Sequence, residues 1–83
     1  MIHKLKIEPQ YLDNLLNGRK KSEIRLNDRD YQLGDVLEFN TENPMREYNK
    51  PSFGTSVNFV ITHIHSGLGL QPGYVVLSVE RVE

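Results

Sequence analysis

Apolar and polar residues alternate over residues 2–7, where Leu5 and Ile7 interleave with Lys4 and Lys6. That period of two predicts a strand with one buried and one solvated face. The period then lengthens. Tyr11, Leu12, Leu15 and Leu16 fall on one stripe of a helix and are assigned to the core. Pro9 stands just ahead of them and suits the first helical position, where its missing N–H had no partner. Gly18 is placed to end the helix, where a left-handed residue is wanted. Arg19, Lys20 and Lys21 follow at its negative end, which favours cations.

A second strand is predicted over Ser22–Leu26, with Ile24 and Leu26 on one face and Glu23 and Arg25 on the other. Asn27-Asp28-Arg29-Asp30 has the composition of a turn. Gly34-Asp35 leads into a third strand over residues 36–39. Residues 40–54, with Pro44, Pro51 and Gly54, make a polar loop that is long for a compact domain. Residues 56–65 read as a strand, residues 66–73 as a Gly-rich loop, and Tyr74–Val82 as a cleanly alternating last strand. Five strands with one short helix between the first and second predict an α+β fold. A small β-barrel removes edges that so short a chain would otherwise have to protect.

Length and composition narrow the function classes. The 83 residues are read as one domain, 1–83, with no room for a second core. There is no cysteine, which excludes disulfides and thiolate metal sites. No apolar run approaches the ~20 residues of a membrane span, and the start of the chain does not read as a signal peptide. The expectation is a cytoplasmic protein with no membrane partner. The net charge of −1 disfavours a broad non-specific nucleic-acid binder. Its distribution is uneven, however: residues 1–29 balance at +3 and residues 30–83 at −4. A basic first third on a neutral chain fits a local anion site.

The richest segment is residues 18–35, which holds five of the ten Lys and Arg residues between positions 19 and 29. Glu23 and Arg25 are two apart and point the same way on a strand. Lys20 joins them only if the chain turns between Gly18 and Ser22. A Lys–Glu–Arg cluster at such a corner suits an anionic or amide-bearing ligand. Arg25 offers a planar fork for phosphate, carboxylate or a base edge, Lys20 a point charge, and Glu23 an acceptor for an exocyclic amine. The competing reading is a solvated strand face whose exposed pairs contribute ~0–1 kcal/mol each.

The spacing Gly18-x-Lys20-x-x-Glu23-x-Arg25 resembles the signature of the ASCH domain, a branch of the PUA-like superfamily. Asn27-Asp28-Arg29-Asp30, Gly34-Asp35, the start His3-x-Leu5-Lys6-Ile7 with Pro9, and Pro72-Gly73-Tyr74 look like a short bacterial and phage branch of that family. The resemblance covers nearly the whole chain. It implies a PUA-like β-barrel with a cleft beside the helix, associated with RNA. Carried over, Lys20, Glu23 and Arg25 would line the cleft and Gly18 would shape its entrance. Asn27, Arg29 and His3 are further candidates for ligand or RNA contact.

Some small ASCH proteins are implied to be amidohydrolases that remove an acetyl group from acetylated cytidine with a Lys, a Thr and a distant Glu. Lys20 matches the Lys, but the Thr position falls on Glu23, so the hydroxyl nucleophile is absent. The distant Glu has only Glu42 and Glu47 as unmatched candidates. The expectation is therefore an RNA- or modified-nucleotide-binding module, monomeric and without cofactor. The alternatives are an amidohydrolase acting on an acylated cytidine-type nucleoside and a protein-interaction modulator.

The remaining residues point less sharply. His63 and His65 share a strand face but lack a third metal ligand, so no metal is expected. Tyr48 and Phe53 in the long loop suit either stacking on a base or packing against the barrel. Ser66-Gly67-Leu68-Gly69-Leu70 lacks the lysine and spacing of a phosphate loop.

Overall fold

The computed structural model of the protein describes residues 1–40 and 56–82. The elements run β1 (Ile2–Leu5), α1 (Pro9–Leu16), β2 (Ser22–Leu26), β3 (Val36–Asn40), β4 (Ser56–Ser66) and β5 (Tyr74–Val82). They form one α+β unit, as the periodicity predicts. The five strands make a single curled half-barrel sheet in the order β1-β3-β4-β5-β2. β1 runs parallel to β3, and the other neighbours are antiparallel. The candidate loop residues Glu42, Glu47, Tyr48 and Phe53 lie outside the described residues.

The inner face carries the core. Leu37, Phe39, Ile61 and Leu77 are almost wholly buried, joined by Leu5, Phe59, Val75 and Val79 from the sheet and by Leu12 and Leu15 from α1. Tyr11 does not join them. It lies at the flank of a stripe centred on Leu12 and Leu15, remains 46% exposed, and offers its ring to Lys20, whose Nζ stands 5.6 Å from the ring centroid. A helix of eight residues is too short to bury a wider stripe.

β1 is shorter than its alternation suggests, and one of its inward positions is polar. Its ladder with β3 ends at Leu5, opposite Phe39, so Lys6 and Ile7 lie beyond the strand. Ile2 faces outward, while His3 is buried. The position is tolerated because His3 Nε2 lies 2.8 Å from Asp35 Oδ2, and its ring meets Tyr31 edge-on at 4.8 Å. A buried polar ring needs such a partner. Asp35 also accepts from the Gln32 backbone N–H at 3.1 Å and from the Met1 amino group at 3.1 Å.

In β4 a bulge between Ile61 and His63 inserts Thr62 and shifts the register against β5. Ile61 lies in the core and Ile64 packs against it, although the two are three apart, and His63 and His65 face outward. His65 Nε2 contacts the Leu68 carbonyl at 3.2 Å.

The hydrogen bond from His3, then the Gln32 N–H and the Met1 amino group, hold the Asp35 carboxyl down at about 2, against an ordinary 3.8. A depressed carboxyl stabilises the fold above its unfolded value and loses that contribution as pH falls through its folded value. Denaturant unfolding of wild type and Asp35→Asn should therefore show a gap at neutral pH that closes as pH falls from about 3.8 towards about 2. A gap of constant size down to pH 2 would contradict the assignment.

Candidate functional site

The register of β2 against β5 decides what faces inward. Glu23 pairs with Leu77, and Arg25 with Val75. Residues directly opposite in a ladder share a face, and Val75 and Leu77 belong to the core. Glu23 and Arg25 must therefore point in, and Ile24 and Leu26 must point out. This reverses the usual assignment for such a strand: Glu23 is 6% exposed and Ile24 is 61% exposed.

A buried carboxylate demands partners, and the corner after α1 supplies one. α1 ends at Leu16, and Gly18 adopts φ +82°. The Gly18 N–H donates to the Leu15 carbonyl at 3.4 Å, and the Lys20 N–H donates back to the Asn14 carbonyl at 2.9 Å. The chain turns sharply and delivers Lys20 Nζ to Glu23 Oε1 at 3.2 Å. From the same strand, Arg25 Nη2 approaches Glu23 Oε2 at 3.4 Å. The three signature side chains thus converge on one carboxylate.

Arg25 has two further contacts. Its Nη2 donates to the Lys6 carbonyl at 2.8 Å, and its guanidinium carbon stands 5.7 Å from the Phe39 ring centroid. The first contact joins β2 to the chain just past β1, the two edge strands of the sheet. Among the described residues no backbone ladder pairs those edges, so a side chain spans the open side of the half-barrel.

Beside Arg25 opens a cleft of about 370 Å³ lined by Lys4, Leu5, Lys6, Arg25, Leu26, Asp28, Arg29 and Tyr31. Two of the candidates read from the sequence, Arg25 and Arg29, stand in its wall. Lys20 and Glu23 lie behind Arg25 and brace it without lining the cleft, and Gly18 makes their corner. Asn27 braces the turn: its Oδ1 accepts from the Tyr31 N–H at 3.0 Å, and its own N–H donates to the Gly73 carbonyl at 2.7 Å. His3 is turned to Asp35 and supports Tyr31 from below.

Lys4, Lys6 and Tyr31 are cleft residues that motif reasoning passed over. The outward positions of Lys4 and Lys6 in the first alternation were the available signal. Burial pushes the Tyr31 phenol up, with Arg25 and then Arg29 opposing that shift. Both cations are therefore close enough to act on it.

These features define a small half-barrel in which a buried carboxylate gathers two cations beside an electropositive cleft. The chain matches, over residues 2–79, the model of a family described as a domain of unknown function (DUF3850), and it belongs to that family. It is also 44% identical over 36 residues to an uncharacterized 12.9 kDa protein in the GpA 3' region of Escherichia phage P2, a match covering 43% of this chain and 33% of the phage protein. The aligned stretch thus spans about a third of that relative's length. No helix among the described residues is long and apolar enough to cross a membrane.

Removing Glu23 leaves two cations facing each other, whereas removing Lys20 leaves the carboxylate still paired with Arg25. Glu23→Ala should destabilise the fold by about 2–4 kcal/mol. Lys20 is 28% exposed, so Lys20→Ala should cost only about 0–1 kcal/mol. Urea unfolding measures both. Equal losses would show that Glu23 is not the centre of the cluster.

Proposed function

We propose that this chain is an ASCH-type, PUA-like module that binds single-stranded RNA or a modified nucleotide in the cleft beside Arg25. The observation that carries the reading is the guanidinium of Arg25. Glu23 and the Lys6 carbonyl hold it in the wall of a cleft that also presents Lys4, Lys6 and Arg29. Held in this way, a planar fork recognises phosphate or a base edge with little ordering cost on binding. The cleft is small and local, which agrees with a chain of net charge −1. These 83 residues, so charged, are not suited to coat nucleic acid.

The amidohydrolase reading draws no support from this geometry. Both Glu23 carboxylate oxygens are engaged by cations. Ser22 is the neighbouring hydroxyl, and strand alternation puts it on the face opposite Glu23.

Fluorescence anisotropy of a labelled single-stranded RNA tests the binding reading. With two or three phosphate contacts, log K should fall with log salt at a slope of roughly −1.4 to −2.1. Arg25→Ala and the more exposed Arg29→Ala should each weaken binding, while Ile24→Lys on the outer face should not. No binding at about 50 mM salt, or Arg29→Ala and a folded Arg25→Ala both binding like wild type, would overturn the proposal.

A further inference from the structure

The cations around the cleft fall into two groups. Arg25 and Lys20 share one carboxylate, Glu23, so that cluster keeps one positive charge. Lys4, Lys6 and Arg29 make no ion pair among the described residues. Against these three positive charges the cleft wall sets one carboxylate, Asp28. Lys4 also stands opposite Glu38 in the β1–β3 ladder, on a shared face. These three cations less Asp28 and Glu38 leave one positive charge. With the one left on the Lys20–Glu23–Arg25 cluster, that makes two around the cleft.

That volume, about 370 Å³, lies at the small end of the roughly 300–1,000 Å³ typical of small-molecule sites. One of its lining residues, Tyr31, is buried and held from two sides. Its backbone N–H is held by Asn27 Oδ1, and its ring is held by His3, which Asp35 anchors in turn. Both polar contacts of Arg25 to protein carbonyl and carboxylate oxygens use Nη2. A guanidinium carries five N–H donors, so the fork retains donors for a ligand.

We propose that this cleft is a subsite for a phosphate monoester, bound in preference to an internal phosphodiester. The inference rests on the nucleotide-binding reading above and names the part of the ligand that the cleft selects. A monoester carries about −1.5 to −2 charge at neutral pH and three strong acceptor oxygens, whereas each internal phosphodiester carries a single negative charge. Only the monoester balances the two surplus charges. Its oxygens also suit donors drawn from different segments: Lys4 and Lys6 just before the helix, Arg29 from the turn, and Arg25 from β2. Two sources share this chemistry, the phosphorylated 5′ end of an RNA and a free nucleoside monophosphate.

The test compares two oligoribonucleotides of one sequence, one 5′-phosphorylated and one 5′-hydroxyl, with a nucleoside 5′-monophosphate and inorganic phosphate as competitors. The phosphorylated strand should bind about ten- to a hundredfold more tightly, the effect of one or two added charge-assisted hydrogen bonds. That preference should collapse in the Lys4→Gln/Lys6→Gln double variant and in Arg29→Gln. All three positions are exposed, so the variants should keep the wild-type melting transition.

Competition by the monophosphate would support the subsite and identify a free nucleotide as able to fill it. Competition by phosphorylated RNA but not by the monophosphate would support it with the RNA end as the source. Equal binding of the two strands would overturn the subsite and leave RNA binding standing. Binding of the monophosphate with neither strand bound would do the reverse. Displacement by inorganic phosphate would support the subsite, since it presents the same charge and oxygens. Chloride displacing the strand as effectively as phosphate at equal ionic strength would reduce the site to general anion attraction and overturn the proposal.

Discussion

The carboxylate of Glu23 is the constraint on which the rest of this structure depends. It sits on the inner face of a sheet among core residues and is 6% exposed. A charge in that position is tolerated only with partners at both oxygens. One partner must come from the corner after α1, which requires the left-handed backbone at Gly18. The other comes from Arg25 in the same strand. Arg25 in turn reaches the Lys6 carbonyl and so ties β2 to the far edge of the sheet. Helix corner and lateral closure are therefore consequences of housing one carboxylate.

Much of this could be read from residue spacing. The strands, the helix beginning at Pro9 and the turn at Gly18 follow from periodicity and from two residues with narrow backbone preferences. The convergence of Lys20, Glu23 and Arg25 also follows, since parity joins two of them and a glycine turn supplies the third. What spacing could not show is which face of β2 is buried. The alternation Glu23-Ile24-Arg25-Leu26 is symmetrical in pattern, and hydropathy favours burying Ile24. The decision is made by β5, whose Val75 and Leu77 must be inside and which imposes its register on β2. That is a non-local effect. The bulge at Thr62 was hidden for a related reason: an inserted residue changes parity without changing composition.

The cleft was hidden for a different reason. Its walls come from residues 4–6, 25–26 and 28–31, segments separated in the chain and united by the curl of the sheet. The signature residues drew attention to the brace behind the cleft, Lys20 and Glu23, while the open wall is carried by lysines that look like an ordinary solvated strand face. His3 shows the same displacement. It is a basic residue near a basic strand, yet its ring turns to Asp35 and acts on the site only through Tyr31.

The two groups of cations consequently have different physical roles. Lys20 and Arg25 face a carboxylate of their own, so their first contribution is to the fold. Lys4, Lys6 and Arg29 make no ion pair among the described residues, although Lys4 stands opposite Glu38 in the ladder. Bringing like charges together around a concave surface carries a repulsive cost that Asp28 and Glu38 offset only in part. A fold under selection for stability alone has no reason to keep three such residues on one rim while its remaining sequence is net acidic. An anion that enters the cleft removes that repulsion and gains the preset guanidinium of Arg25 in the same step. The same carboxylate that makes Arg25 rigid is shared with Lys20. The balance of charge left for a ligand is what Glu23, Asp28 and Glu38 leave uncompensated among the five cations around the cleft.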